Sequence, residues 1–166
     1  MDKAKKYLED MVKIQKMITN PDSSRKYEYM SGSEFILKNG VQCIPRAYNV
    51  DEFKGVPRIK RECYRNAYYL AWYTGLIYVE GIGINIIGTE HAWCIDSDFN
   101  VYDPTWDNPE KHSYYGVPFD LDYVEKIMHE TEVYGVLQNW TQRFPLFTGE
   151  HTDFKHKFEN NESRRN

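Results

Sequence analysis

The chain has 166 residues, a formal net charge of −4 and 41% hydrophobic residues. That length fits one domain whose core needs no disulfides, and the charge provides no field that would gather nucleic acid. No apolar run approaches the roughly 20 residues of a membrane span, and the charged first residues are not expected to act as a signal peptide. Three cysteines at unrelated spacings suit a reducing compartment better than a disulfide framework, so a cytoplasmic location is expected. Fourteen tyrosines and 16% aromatic content suit a sheet-rich core and a groove for a peptide or planar ligand.

Residues 2–19 read as an amphipathic helix with Leu8, Met11, Ile14, Met17 and Ile18 on its apolar face, ending at Asn20-Pro21. Residues 22–26 read as a polar loop. Residues 33–38 read as a short helix capped by Ser33 and closed by Asn39-Gly40. Residues 41–44 are strand-like, and residues 45–57 carry the turn residues of an exposed loop. Residues 62–74 read as a helix closed by Gly75, with Ala67 and Ala71 allowing close approach to a sheet.

Residues 77–83, 89–96 and 100–103 read as successive strands, with Glu80 and Glu90 expected to face solvent. Residues 107–113 form a predicted loop, and residues 114–119 a further strand or lid. Asp120 is placed to cap a helix reaching about residue 130. Residues 133–137 and 143–147 are assigned as short strands. From Glu150 onward the chain is charged and poor in apolar residues, so a frayed tail over 150–166 is expected. The pattern is α+β, with one domain over 1–149 and its core over 58–147.

Chemistry concentrates between residues 62 and 106. Cys63 falls in the first turn of its helix, where unpaired N–H groups and the positive end of the dipole favour a thiolate. On the next strand but one, His91, Trp93 and Ile95 share a face, and Ala92, Cys94 and Asp96 share the other. A three-residue loop at Asp96-Ser97-Asp98 would pair Ile95 with Phe99, Trp93 with Val101, and His91 with Asp103. Asp103 would then hold one imidazole nitrogen and leave the other for Cys63, the arrangement of a cysteine nucleophile with its base and orienter.

Each residue also has a plain structural role: a buried thiol, a half-buried sheet histidine, a carboxylate that positions Pro104. A zinc site from Cys63, His91, Cys94 and His112 is disfavoured, because strand parity points Cys94 away from His91.

The ordered set Cys63 at a helix start, His91-Ala92-Trp93 on a strand, and Asp103-Pro104-Thr105 on the next strand resembles the transglutaminase-like branch of the papain-like cysteine enzymes. The match covers about 45 residues and extends toward Tyr114–Phe119. The resemblance implies a nucleophile-bearing helix packed on an antiparallel sheet, here with an extra N-terminal helix. It also implies acyl transfer from an amide through a thioester: proteolysis or amide hydrolysis, glutamine deamidation, or transamidation. Cys63, His91 and Asp103 would act on a protein or peptide, with no cofactor, metal, nucleic acid or membrane.

Gln42 and Asn66 are candidates for a side-chain donor to the oxyanion; Trp93 and Trp106 flank the triad and are candidates for a wall of the substrate channel, with a core role as the plainer reading of Trp93. Arylamine acetyltransferases, with a similar triad and a thioester donor, are a more distant likeness. The alternative is a binding module that keeps this fold without the reaction. Arg58, Lys60 and Arg61 lie just before Cys63 and read as a solvated basic loop, with attraction of an acidic substrate or support of the thiolate as the functional alternative.

Overall fold

The computed structural model describes residues 2–19 and 27–158, a mixed α+β domain in which helices pack against a curled antiparallel sheet. Helix α1 spans Lys3–Ile18 and is capped by the Asp2 carboxylate, which accepts the Ala4 N–H. The expected apolar stripe is cut short. Ala4 and Leu8 are buried, whereas Ile14, Met17 and Ile18 are exposed. The break at 20–21 and the loop at 22–26 lie outside the described residues.

Helix α2 spans Gly32–Asn39 and starts earlier than the sequence suggested, because Ser31 rather than Ser33 accepts the Glu34 N–H. Glu34 in turn accepts the Met30 N–H at 2.8 Å, so cap and first turn bond reciprocally.

Strand β1 (Val41–Cys43) leads through a long loop to α3 (Cys63–Thr74), which Gly75 closes in the left-handed conformation at φ 73°. Next come β2 (Ile77–Ile84), β3 (Gly88–Ile95), β4 (Val101–Tyr102), a short 3-10 turn (Pro109–Lys111), β5 (Ser113–Pro118), α4 (Leu121–Thr131) and α5 (Pro145–Thr148). The sheet order is β1-β5-β2-β3-β4, with every neighbouring pair antiparallel. The two edges then meet: the Ile44 N–H donates to Phe99 O and Val101 N–H donates to Ile44 O, both at 2.8 Å.

This curl creates two apolar interiors. On the outer face, Ala67, Leu70 and Ala71 of α3 meet Ala92 and Cys94, together with Leu8, Phe35, Ile36, Val117 and Ile127. The alanines bring α3 so close that the Cys94 thiol donates to Ala67 O at 3.1 Å. Inside the curl a smaller cluster holds Trp93, Val79, Ile95, Val101, Tyr114 and Cys43. His91 shares the Trp93 side of β3 and therefore faces the inner compartment.

Residues 133–137 and 143–147 do not form the expected strands. The first segment is held by Glu80, which is 1% exposed and not solvent-facing as expected. Its carboxylate accepts the Val136 N–H at 2.7 Å, the Leu137 N–H at 2.9 Å and the Tyr78 hydroxyl at 2.8 Å. An inward carboxylate in a strand matches an irregular segment whose N–H groups have no strand partner. The second segment contains α5, set by Pro145 in its first turn.

The expected frayed tail is docked as far as residue 158. Phe154 is buried, Asp120 N–H donates to Phe154 O, and His156 N–H donates to Pro118 O. The remainder, 159–166, lies outside the described residues. Among the described residues no helix is long and apolar enough to cross a membrane.

Burial pushes the Glu80 carboxyl up to about 7 from an ordinary 4.5, against the pull of its three donors. The folded protein thus holds this proton more tightly than the unfolded chain. The resulting stability is present below 4.5 and is lost as pH rises toward about 7. In Glu80→Gln the amide N–H opposes a backbone N–H, so the variant is expected to be less stable overall, with a flatter pH dependence across that window. Urea unfolding at several pH values measures both, and an unchanged slope would remove Glu80 as its cause.

Candidate active site

Three elements from different parts of the chain build the site. Helix α3 places Cys63 at its first position, after Glu62, whose side chain makes no capping bond. The first-turn N–H groups therefore receive no help from that carboxylate, and they and the dipole leave a positive end beside the sulfur. Strand β3 supplies His91, 2% exposed, and the segment after β4 supplies Asp103, fully buried.

The imidazole Nε2–H donates to Asp103 Oδ2 at 2.7 Å. A carboxylate only accepts, so this bond fixes the tautomer and leaves Nδ1 for another partner. The Cys63 thiol is among the groups that favour the charged ring, through hydrogen bonding and charge. Burial works against the imidazolium, but the Asp103 charge and hydrogen bond, joined by Cys63, outweigh it and hold the ring up at about 9 from 6.5. Burial likewise opposes the Asp103 charge, yet the His91 charge and bond and two backbone N–H groups keep the carboxyl below its ordinary value.

His91 adds stability that is full below 6.5 and fades as pH rises through about 9. Asp103 adds stability that is present above 3.8 and fades on acidification.

The hairpin register differs from the expectation. Cys94 pairs with Tyr102 and Ile95 with Val101, so the connection runs over five residues, 96–100, and not three. The cause is Asp96: its side chain accepts the N–H groups of Asp98 and Asn100, and Phe99 takes φ 65°. The shift is two residues, an even number, so Asp103 stays on the His91 face as a diagonal neighbour.

Of the other candidates, Trp106 joins the site. Its ring stacks on His91 with centroids 3.9 Å apart and planes 9° from parallel. A cation is favoured over an indole face, so this contact also supports the charged ring. Gly83 makes room for it, since a Cβ there would lie 2.6 Å from the Trp106 ring.

Three expectations are corrected. Trp93 is fully buried in the inner core and walls no channel. Gln42 is exposed on β1, in register with Tyr115 and hence on the opposite sheet face from His91. It lines a separate cleft of about 340 Å³ with Asp2, Lys3 and His112.

Asn66 is fully buried, and its amide is already committed. Oδ1 accepts the Ile59 N–H at 2.9 Å, while Nδ2 donates to Ile59 O at 2.8 Å and to Thr105 Oγ1 at 3.0 Å. It is a staple tying the loop before Cys63 and the segment after Asp103 to α3, with no donor left for an oxyanion.

The other two thiols are buried: burial pushes Cys43 up to about 12 and raises Cys94 as well. Cys94 lies on the helix side of β3, and among the described residues no three His, Cys, Asp or Glu side chains are placed to hold a metal ion. Sequence reasoning missed Tyr114, whose hydroxyl donates to Asp103 Oδ2 at 2.9 Å. Its alternation within β5 was visible, but the pairing of β5 with β2 was not.

Asn66→Ala would strip three hydrogen bonds from a buried position, a loss of about 2–4 kcal/mol by the cost of unpaired buried groups. Urea unfolding measures the loss, and limited trypsin digestion at Arg58, Lys60 or Arg61 is expected to accelerate. Unchanged cleavage would mean the staple does not hold that loop.

No protein-family model matches this chain, and no curated protein or solved structure matches it, so its relationships rest on the residues themselves.

Proposed function

We propose that the protein is a cysteine-dependent acyl-transfer enzyme acting on an amide, of the transglutaminase-like type. The observation that supports this most is His91, bonded through Nε2 to a buried carboxylate, with a thiol at a helix start among the groups that favour its charged form.

In this reading the Cys63 thiolate attacks the amide carbon, and the carbonyl π electrons move to oxygen. First-turn N–H groups of α3 receive that oxyanion. The imidazolium gives its Nδ1 proton to the amine as the C–N bond breaks, leaving a thioester and a neutral His91. His91 then takes a proton from the acceptor as it attacks the thioester, and the thiolate leaves with the imidazolium restored. Water as acceptor gives hydrolysis or deamidation, and an amine gives transamidation. Asp103 keeps the ring oriented throughout and takes no proton.

The rate of iodoacetamide alkylation at Cys63 across the neutral range tests the thiolate–imidazolium pair. At neutral pH Cys63 is expected to be alkylated faster than a free thiol, and His91→Ala to slow it about tenfold. Cys43 and Cys94 should stay unreactive in the folded protein. A wild-type rate no faster than that of a free thiol would end the activated-nucleophile reading.

Mass spectrometry of amide-containing peptides incubated with wild type and Cys63→Ala separates cleavage, deamidation and crosslinking. A Cys63-dependent product is expected. An activated thiol that yields none, with capture of intact peptide, would favour the binding module instead.

A further inference from the structure

Asp103 is bonded more fully than a carboxylate that only orients a histidine needs to be. Oδ1 accepts the backbone N–H of Thr105 at 2.8 Å and of Trp106 at 3.2 Å. Oδ2 accepts two donors, His91 Nε2–H at 2.7 Å and the Tyr114 hydroxyl at 2.9 Å. All four acceptor directions of the carboxylate are thus engaged, three of them by neutral groups.

Tyr114 cannot drift from this place. It is fully buried on β5, in register with Gly83 on one side and Cys43 on the other. Its ring packs against Trp93 at 5.1 Å, Trp106 at 5.9 Å and His91 at 6.3 Å between centroids.

We propose that Tyr114 is a positioning residue of this site: by sharing Asp103 Oδ2 with His91, its hydroxyl fixes where the imidazole docks and moderates the carboxylate's hold on the imidazolium. An oxygen that already accepts one hydrogen bond is a weaker acceptor for a second. Without the phenol, all of the Oδ2 charge falls on the ring, and the ring proton is held more tightly. With it, the imidazolium stays acidic enough to release a proton from Nδ1 while Nε2 remains anchored. The two backbone N–H groups and the phenol also keep Asp103 ionised in both states of the ring. Burial and the neighbouring Asp103 charge push the phenol itself well above its ordinary range, so it remains a donor at any working pH.

The inference rests on the acyl-transfer reading for its consequence, but not for its test. The imidazole of His91 can be titrated by NMR in full-length Cys63→Ala, where no thiolate interferes, and again with Tyr114→Phe added. The phenylalanine keeps the ring and removes one oxygen. Its expected effect is an upward shift of the His91 midpoint by about half a pH unit or more, in the range typical of a lost hydrogen bond to a paired carboxylate.

A purely structural role would lower the melting temperature and leave the midpoint where it was, which would overturn the assignment. Incorporation of 3-fluorotyrosine at position 114 gives the opposite arm: a stronger phenolic donor should lower the midpoint. It also keeps the question decidable if Tyr114→Phe fails to fold. A midpoint already ordinary in Cys63→Ala, and unmoved by Asp103→Asn, would instead remove the His91–Asp103 pairing on which the enzymatic reading stands. A raised midpoint indifferent to both Tyr114 replacements would remove only Tyr114.

Discussion

The structure depends on one buried carboxylate. Asp103 lies in a fully enclosed position where an isolated charge would be costly, and four donors from three stretches of chain make it tolerable. Two of them come from its own turn, one from β3 and one from β5. The charge thereby locks together strands that the sheet order separates, since β2 and β3 lie between β5 and β4. The same arrangement favours a charged imidazole in a place where burial alone would favour the neutral ring, which is the property the proposed chemistry draws on.

Two other buried polar side chains work on the same principle with different effect. Asn66 uses its whole amide on backbone and hydroxyl partners, so the approach to Cys63 and the segment beyond Asp103 both rest on α3. Glu80 holds the irregular chain at Val136 and Leu137, and Gly135 packs beside Tyr64, the residue after Cys63. In each case a loop lacking regular backbone partners is supplied with them by one inward side chain. The catalytic geometry proposed for this protein is therefore held by polar groups as much as by its two apolar interiors.

Much of this was readable from the residues, for identifiable reasons. The Gly75 stop, the parity of β3 and the position of Cys63 follow from local rules that the structure keeps, whereas the cap of α2, read the same way, moved from Ser33 to Ser31. The His91–Asp103 relation survived a wrong loop length only because the slip was even. What was not legible is what depends on contacts distant in sequence. Glu80 looked like an outward strand residue until the segment at Val136 and Leu137 was seen to need it, and Asn66 looked like an available donor until its partners were known. Tyr114 was invisible as a partner of Asp103 because β5 reaches that neighbourhood through β2 and β1 rather than through its sequence neighbours. Strands were misassigned at 133–137 and 143–147, where apolar composition marked burial without fixing backbone shape.

The closing contact of the curl has a consequence for how the polypeptide matures. The hairpin of β3 and β4 is local and brings His91 near Asp103 early, whereas the Ile44 junction with Phe99 and Val101 joins stretches more than fifty residues apart in sequence. The thiol arrives on a helix between them, and the tyrosine from a strand made later still. The three residues of the proposed triad nevertheless lie in one unbroken run from α3 to the segment after β4, so in that reading they would meet before the Ile44 junction closes, and the remote pairings would then clamp a constellation already assembled.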